Sequence, residues 1–378
     1  MPLLCFAAVV YWLSGGILFF TFIGYSLCMK ALARWRDRPL SSPQRDAPLP
    51  SVRVILSAHN AEDEIVTRLE NLLQSHYPAE KLRVLLVSDG STDATVARVE
   101  ALNEPRIEVI ALPTSSGKAN ALNLAFERCS EEIVVLTDAR QQFTPDAIAQ
   151  LARHFSDPAI GAVSGALEIS PSTSTTGAGV DAYWRYEKAL RADESRYDSC
   201  IGCTGAIYAV RRRSFQPIPA DTILDDVVIP MQIALQGKRV IHDPSIYAFD
   251  PQPLDPRSEQ RRKQRTLAGN FQMLFRHPKW LYPTRSRLWF QLIAHKYLRL
   301  TAPIWLIACL LTSALLSSHP FYAACFAAQI ALYLLAIIGL VMQRGRFFTL
   351  PAAFLFLNIM TLRGGWHYLA GTYRRGWK

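Results

Sequence analysis

The chain has 378 residues, of which 50% are hydrophobic and 19% are charged, and its formal net charge is +10 at pH 7. This length allows one large domain or two ordinary ones. Apolar residues are concentrated toward both ends, which is typical of a membrane protein with a soluble middle. Positive charge could indicate nucleic-acid binding, but no zinc-finger spacing or aromatic RNA-binding motif accompanies it. Since many basic residues flank the apolar segments, we expect membrane lipids and phosphates as partners and no nucleic acid.

The first apolar segment, residues 7–29, carries no charge and is long enough to span a bilayer. No Lys or Arg precedes it, which argues against a cleaved signal peptide, and five basic residues follow between Lys30 and Arg45. By the positive-inside rule, the N-terminus lies outside and the chain enters the cytosol after this segment. We therefore predict a transmembrane helix over 1–30 and a Pro/Ser-rich linker over 31–50. A buried core helix is the alternative.

Three further apolar segments stand near the other end of the chain. The first two predict a helical hairpin, whereas the third is short for a span and could instead be re-entrant or interfacial. Three crossings would place the basic tail outside, against the positive-inside rule, so the topology of the third segment stays open. In chain order, the predicted segments are an interfacial helix over 285–300, transmembrane segments within 301–362 (301–318, 321–342 and 347–362) and a basic tail over 363–378.

The middle of the chain has a different pattern. The runs "VRVILSAHN", "LRVLLVSDGS" and "EEIVVLTDAR" are short, apolar and rich in β-branched residues, and helix-like stretches lie between them. Continuous apolar strands of this kind are buried on both faces, which predicts an α/β fold with a mainly parallel sheet. Ligands of such sheets bind beyond the carboxyl ends of the strands. His59, Asn60, Asp89 and Asp138 all fall there.

Each of these strand-end residues also has a simpler interpretation. Asp and Asn cap the next helix more often than they bind a ligand, but three polar strand ends in succession favour a site. Ser91 or Thr92 can cap the helix after the second strand, which leaves Asp89 available for a ligand. Gly117 and Lys118 lie in a polar loop before a helical stretch, where a lysine suits a diphosphate. A solvated lysine at a helix start is the alternative.

The order of these motifs resembles that of the family 2 glycosyltransferases, which have the GT-A fold. The likeness is closest to the membrane-embedded cellulose, hyaluronan and poly-N-acetylglucosamine synthases, and it covers roughly residues 50–275. The resemblance implies a Rossmann-like GT-A domain, which we place over 51–280. The segments that carry it are "SAHNAEDEI", "VSDGSTDAT", "GKANALN", "LTDAR", "GCTGAIYAVRR" and "ILDDVVIPMQIALQGKRV".

The resemblance also implies roles for single residues. Asp89 would meet the uracil and ribose, Lys118 would lie near the nucleotide, and Asp138 stands at the first position of the family's DxD metal motif. Asp226 matches the catalytic base and Asp225 the acid before it. The implied nucleotide-sugar-binding residues are His59, Asn60, Asp89, Lys118, Asp138, Arg262 and Arg265. The implied acceptor-side residues are Gly202, Cys203, Thr204 and Gly205.

The chemistry of sugar transfer requires the same kinds of group. The leaving diphosphate must be neutralised and the acceptor hydroxyl deprotonated. A divalent cation, Mg²⁺ or Mn²⁺, would serve the diphosphate when held by few carboxylates together with phosphate oxygens and waters. Asp138 is the predicted metal ligand, and Asp226 would accept the proton of the acceptor. One direct displacement would invert the anomeric centre.

Two positions depart from the family pattern. Arg140 stands where the DxD motif has its second Asp, and a guanidinium cannot ligate a cation. Either Asp138 and the diphosphate hold the metal with waters, which we favour with Arg140 as a salt-bridging neighbour, or Arg140 itself contacts phosphate or a carboxylate. Thr266 replaces the Trp of the QxxRW motif found in processive members, and Arg262 replaces its Gln. Arg265 can still bind the diphosphate, but the change puts long-chain polymerisation in doubt.

The sequence therefore predicts an integral membrane glycosyltransferase of a bacterial-type inner or plasma membrane, with its catalytic domain in the cytosol. It would move a sugar, with inversion, from a UDP-sugar to a glycan or a lipid-linked saccharide. If it is processive, the C-terminal segments would form part of an export path, to which accessory export subunits could bind. The alternatives are a non-processive transferase acting on a polyprenyl phosphate or another lipid, and an inactive membrane-anchored nucleotide-binding scaffold.

Overall fold

The described residues form one large mixed sheet with helices packed on it, and further apolar helices lie at both ends of the chain. Residues 40–47 of the predicted linker and residues 373–378 of the predicted basic tail lie outside the described part. The structure, which is a computed structural model, describes residues 2–39, 48–169, 175–250, 256–342 and 346–372.

Eight strands make up the sheet in the described part of the chain, in the order β3-β2-β1-β4-β7-β6-β8-β5. The first four of these are mutually parallel, whereas β7 is antiparallel to both of its neighbours. The predicted α/β class with a mainly parallel sheet is confirmed. In chain order the strands are β1 (Val52–Ala58), β2 (Leu82–Asp89), β3 (Ile107–Leu112), β4 (Ile133–Thr137), β5 (Gln142–Phe143), β6 (Ile160–Ile169), β7 (Tyr208–Arg211) and β8 (Arg239–Asp250).

The α-helices alternate with the strands in the middle of the chain and dominate its two ends. In chain order they are α1 (Pro2–Phe19), α2 (Tyr25–Trp35), α3 (Ile65–Leu73), α4 (Thr95–Glu100), α5 (Lys118–Arg128), α6 (Ala147–Arg153), α7 (Thr175–Tyr197), α8 (Asp225–Leu235), α9 (Pro256–Arg276), α10 (Trp289–Gln291), α11 (Leu298–Leu315), α12 (Pro320–Met342) and α13 (Arg346–Leu369). Two π-helical segments, Phe20–Gly24 and Leu292–Tyr297, join α1 to α2 and α10 to α11.

The sheet is buried on both faces, as its continuous apolar strands predict. Alternate side chains of one strand point to opposite faces, so that Ile55 of β1 belongs to one hydrophobic cluster and Leu56 to the other. The first cluster includes Leu122 of α5, and the second includes Ile65 and Leu69 of α3. Helices therefore cover the parallel half of the sheet from both sides.

The parallel strands bring the predicted site residues to one edge of the sheet. Ala58, the last residue of β1, pairs with Ser88 of β2, and Leu56 pairs with Thr137, the last residue of β4. The carboxyl ends of β1, β2 and β4 therefore lie side by side. This register explains why strand-end residues far apart in sequence can serve one ligand.

The N-terminal helix is longer than the sequence predicts. Through the π-helical segment Phe20–Gly24, α1 and α2 form one helix from Pro2 to Trp35, which is long and apolar enough to cross a membrane. The prediction ended near residue 30, where the charges begin. The chain stays helical because the next residues, "ALARW", are mostly good helix formers.

The predicted interfacial helix over 285–300 does not stand apart in the structure. Residues Trp289–Leu315 form one helix, built from α10, the π-helical segment Leu292–Tyr297 and α11, and it is a candidate membrane span. No break separates the two predicted segments, because residues 289–300 contain neither Gly nor Pro. Basic side chains of the predicted interfacial segment therefore lie within a candidate span.

The last two helices are also long and apolar enough to cross a membrane. The third apolar segment, predicted as 347–362, is short only because the prediction ended at Arg363, whereas α13 continues to Leu369. Gly364 lies so close to α9 that an added Cβ would be 2.6 Å from the Cβ of Leu267. Small residues allow helix backbones to approach in this way, and this packing holds the end of α13 in helical form.

A chain of polar contacts joins the N-terminal helix, α7 and the helix after residue 289. The hydroxyl of Tyr25 donates to Glu194 Oε1 (2.6 Å), and His295 Nδ1 lies 2.8 Å from the same oxygen. His295 Nε2 contacts Glu187 Oε1, and Arg299 Nη1 donates to Glu187 Oε2 (2.7 Å). These five buried or half-buried residues, which we call the α7 clamp, fix the position of the π-helical segment relative to α7.

Candidate active site

The carboxylate of Asp89 holds the loop before α5. It is fully buried; Oδ1 accepts hydrogen bonds from the backbone N–H (2.7 Å) and hydroxyl (2.9 Å) of Ser116. Oδ2 accepts hydrogen bonds from the hydroxyl of Ser115 and the N–H of Gly117, both at 2.8 Å. Both oxygens of Asp89 thus shape the loop, and its contact with a ligand stays a prediction. Gly90 (φ +67°) is required beside it, since an added Cβ would lie 2.3 Å from Ser115 N.

His59 and Asn60 also make contacts within the protein. His59 Nδ1 lies 2.7 Å from the backbone oxygen of Asp89, which can only accept, so Nδ1 carries the proton. Asn60 adopts a positive φ of 50°, and its Oδ1 accepts a hydrogen bond of 2.8 Å from the N–H of Thr92. These residues fasten the end of β1 to the loop after β2. Neither they nor Asp89 are among the residues that line the cavity described next, and their contact with a nucleotide stays a prediction.

A cavity of about 390 Å³ lies next to this edge of the sheet. Its volume is in the range of small-molecule binding sites. Seven Lys or Arg side chains and four Asp or Glu side chains line it, which favours an anionic ligand over a neutral one. The predicted site residues that line it are Lys118, Asp138, Gly202, Cys203, Thr204, Gly205, Asp225, Asp226, Arg262 and Arg265.

Lys118 joins the carboxylates at one end of the cavity. Its Nζ lies 2.8 Å from Asp138 Oδ1 and 3.5 Å from Asp225 Oδ2. Burial by itself would lower the pKa of Lys118, but the two carboxylates outweigh it and the pKa lies above its usual value. Burial would likewise raise the pKa of Asp138, but Lys118 outweighs it and the pKa is lowered. The pair is therefore ionised at neutral pH.

Asp226 lies at the start of α8 and faces the acceptor-side loop, Gly202–Gly205. The N–H of Cys203 donates to the backbone oxygen of Asp226 (2.7 Å), and a Cβ added to Gly205 would lie 3.1 Å from Asp226 Oδ2. Glycine at position 205 thus leaves space in front of the carboxylate. Burial and the charge of Asp225 raise the pKa of Asp226, Lys118 opposes both, and the resulting pKa is about 6. This pKa suits a general base at neutral pH.

Arg140 does not face the cavity as a second metal ligand would. Its Nη2 lies 2.6 Å from Asp250 Oδ2, and Gln141 Nε2 donates to the same oxygen at 3.1 Å. Asp138 remains as a carboxylate lining this end of the cavity, and among the described residues no cluster of three or more His, Cys, Asp or Glu could hold a metal ion. The single carboxylate of Asp138 fits a hard divalent cation whose other ligands come from substrate phosphates and water.

The basic helix α9 contributes Arg262, Lys263, Arg265 and Thr266 to the cavity lining. The hydroxyl of Thr266 donates to the backbone oxygen of Arg262 (2.9 Å), so this position offers a satisfied polar group instead of the aromatic face of a Trp. The guanidinium of Arg265 acts on the charge of Asp138, which puts this cation near the same end of the cavity as Lys118.

Four cations that line the cavity, Arg191, Lys263, Lys296 and Arg299, were not predicted as site residues from the sequence. Arg191 of α7 donates to the oxygen of Gly202 (2.7 Å) and to the hydroxyl of Thr204 (3.0 Å), and thus supports the acceptor-side loop. Lys296 lines the cavity from the π-helical segment. A signal for Lys296 was present, because an ionisable residue within an apolar helix usually has a function. Arg191 had no such signal, because it lies in a charged amphipathic stretch where one more arginine is not unusual.

Comparison with known proteins finds a family match within this domain. Residues 53–218 match the family model described as "Glycosyl transferase family 2". An N-acetylglucosaminyltransferase of Rhizobium meliloti (strain 1021) is 33% identical over 178 residues, which are 46% of this chain and 42% of that protein. A poly-beta-1,6-N-acetyl-D-glucosamine synthase of Staphylococcus aureus (strain MSSA476) is 24% identical over 288 residues, 71% of this chain and 64% of that protein. The match to this chain thus spans less than two thirds of the length of these curated relatives.

A solved structure has the same fold over nearly the whole chain. It is the mannosyltransferase PcManGT from Pyrobaculum calidifontis in complex with GDP-Man and Mn²⁺, with a TM-score of 0.73 and 24% sequence identity. The match covers 97% of this chain and 99% of that one. The expected GT-A fold and the resemblance to family 2 glycosyltransferases are confirmed.

The ion pair between Arg140 and Asp250 can be tested by a double-mutant cycle. The side chain of Asp250 is fully buried, so Arg140→Ala leaves a buried carboxylate with fewer donors and should destabilise the protein by about 1–3 kcal/mol. Combining Arg140→Ala with Asp250→Asn should recover most of this loss, because a neutral amide needs no counter-charge. The measurement is the unfolding midpoint in detergent; additive losses in the double variant would contradict the coupling.

Proposed function

We propose that this chain, which carries a glycosyltransferase family 2 domain, is an inverting membrane glycosyltransferase. It transfers a sugar from a nucleoside diphosphate sugar to a hydroxyl group of a glycan or a lipid-linked saccharide. The observation that carries the proposal is the position of Asp226, which lines a cationic cavity, faces a glycine of the neighbouring loop and has a pKa raised to about 6. A base whose pKa is near neutrality, beside several cations that can neutralise a diphosphate, fits this reaction.

The donor end of the cavity is formed by Lys118, Asp138 and Arg265. Lys118 and Arg265 place positive charge where the diphosphate leaves, and a guanidinium matches two phosphate oxygens at once. Asp138 would hold a divalent cation together with those oxygens. When bound, this cation neutralises the charge that develops on the leaving diphosphate. The loop fixed by Asp89 positions Lys118 at the start of α5.

The acceptor end is formed by Asp226 and the Gly202–Gly205 loop. As the oxygen of the acceptor hydroxyl attacks the anomeric carbon, Asp226 accepts the proton of that hydroxyl. The bond between that carbon and the diphosphate breaks in the same step, and the negative charge leaves with the nucleotide. A single displacement inverts the anomeric centre. Asp225, buried beside Asp226 and 3.5 Å from Lys118, positions Lys118 and raises the pKa of the base.

The names of the relatives guide the choice of donor. Two of them are named for N-acetylglucosamine transfer or polymer synthesis, which supports UDP-N-acetylglucosamine as the first sugar nucleotide to test. The solved mannosyltransferase was bound to GDP-Man, so the panel includes GDP-mannose. A UDP-sugar remains our expectation because the motif around Asp89 resembles the uracil-binding segment.

The position of the cavity supports a membrane-associated acceptor. Phe22, Leu300 and Leu357 line it, and each belongs to a helix that is long and apolar enough to cross a membrane. Thr266 gives no aromatic face for a growing sugar chain, which favours a non-processive enzyme acting on a lipid-linked acceptor over a polymerase. Accessory export subunits would be needed only by a polymerase.

Replacing Asp226 by Asn should lower the rate of sugar transfer at least about a hundredfold, because the amide cannot accept the proton. The assay uses the purified chain in lipid nanodiscs with a lipid extract as acceptor and a panel of UDP-sugars and GDP-mannose. Transfer should require Mg²⁺ or Mn²⁺ and stop with a chelator. Product size separates single additions from polymer synthesis.

The matched control is Glu127→Gln, which removes a charge from an exposed position of α5 and should leave transfer unchanged. Transfer by Asp226→Asn within a fewfold of the unmodified chain would contradict the assignment of the base. Nucleotide binding without transfer from any donor would instead favour the inactive scaffold.

The pH dependence of kcat/KM tests the pKa of the base directly. Asp226 must be ionised to act, so kcat/KM should fall as the pH drops below about 6 and should reach a plateau above it. An unperturbed Asp, with a pKa of about 3.9, would keep full activity to about pH 5. A plateau that extends to pH 5 would therefore show that the titrating group is not the buried Asp226.

A further inference from the structure

Lys296 is a half-buried cation in a candidate membrane span. It lines the cavity from the π-helical segment Leu292–Tyr297, and such segments often mark functional sites. The nearby carboxylate of Glu187 is occupied by His295 and Arg299. Within the described ranges, Lys296 has neither an ion pair nor a hydrogen-bonding partner for its ammonium group. A positive charge without an ion pair in a candidate membrane span costs free energy unless a ligand supplies the opposite charge.

Arg191 is a second cation of this kind. Its guanidinium donates to the oxygen of Gly202 and to the hydroxyls of Thr204 and Ser164, all of them neutral acceptors. In the part of the chain that the structure describes, no carboxylate forms an ion pair with it. Arg191 and Lys296 influence each other electrostatically, so two positive charges that have no ion-paired carboxylate among the described residues lie near the acceptor-side loop.

Cations of both groups act on Asp226. The charges that act on it include Lys118 and Lys296. Those that act on Lys296 are Glu187, Arg191, Arg299 and Asp226, whereas Asp138 is influenced by Lys118, Arg265 and Arg68. The cations of the cavity therefore form two groups, one that acts on Asp138 and one that acts on Lys296, and each has a member that acts on Asp226. One group suffices for the donor diphosphate, which leaves the other for a second anion.

The surroundings of Lys296 identify the kind of molecule that carries the second anion. Leu300 follows on the same helix, and Leu357 and Thr361 of α13 line the same cavity. Both helices are candidate membrane spans. A ligand that reaches Lys296 thus contacts hydrocarbon side chains and a cation together. A free sugar chain has neither an anion nor an apolar part to match them.

We propose that Lys296, supported by Arg191, binds the phosphate group of a lipid-linked acceptor. The inference rests on the proposed function, since it places the accepting hydroxyl at Asp226 and the phosphate beyond it toward the membrane helices. The acceptor class is a saccharide joined to a lipid through a phosphate or diphosphate. The α7 clamp fixes the neighbouring His295 and thus the π-helical segment that carries Lys296.

The test is lipid binding by the full chain in nanodiscs of neutral lipid. The probes are a polyprenyl phosphate, the matching polyprenol and inorganic phosphate. The unmodified chain should bind the polyprenyl phosphate at least about tenfold more tightly than the polyprenol, because a charged hydrogen bond to phosphate is gained. Lys296→Met should remove this preference, and Lys296→Arg should keep most of it. Lys279→Met, at an exposed position outside the cavity, should bind like the unmodified chain.

Donor affinity is measured on the same samples and should not change in Lys296→Met. Equal binding of polyprenol and polyprenyl phosphate, or an unchanged preference in Lys296→Met, would overturn the inference. Competition by inorganic phosphate at the affinity of the lipid would show a site for free phosphate instead. A joint loss of donor and lipid binding would contradict a role confined to the acceptor. If Lys296→Met keeps the preference for polyprenyl phosphate while Asp226→Asn abolishes transfer, the inference fails while the proposed function stands.

Discussion

The ion pair between Lys118 and Asp138 is the contact on which the rest of the candidate site depends. It joins the first residue of α5 to the end of β4, and Lys118 also lies 3.5 Å from Asp225 at the first turn of α8. Three segments distant in sequence thereby converge on one cavity. The loop that delivers Lys118 is itself held by the buried carboxylate of Asp89. The sheet, the loop and the base are thus coupled through one ammonium group.

The same arrangement explains the different states of neighbouring carboxylates. Asp138 is paired with Lys118 and has a lowered pKa, whereas Asp226 is buried beside Asp225 and has a pKa raised to about 6. One acid is thus kept ionised for a cation and the other is tuned to accept a proton, a division that adjacent acids achieve through their environments. Lys296, which also acts on Asp226, lines the same cavity from a candidate membrane span.

The sequence predicted the parts of the site that depend on local pattern. Apolar strands that end in Asp or Asn, followed by turn residues, indicated the sheet edge, and the motif order indicated Lys118, Asp138 and Asp226. It did not reveal the use of Asp89, because hydrogen bonds from a loop some 26 to 28 residues away leave no local signature. The α7 clamp was hidden for the same reason, since Glu187 and His295 lie 108 residues apart. The sequence pattern divided the helix over 289–315 into an interfacial helix and a transmembrane segment, because the charges in its first part are typical of a membrane interface.

The central claim is that one base, Asp226, drives a single displacement at the anomeric carbon. The anomeric configuration of the first product, followed by proton NMR before mutarotation or further transfer, tests it most directly. With an α-linked nucleotide sugar, we predict a β-linked product from the first turnover onward. An α-linked product would require two displacements or a different attacking geometry, and would contradict the role assigned to Asp226.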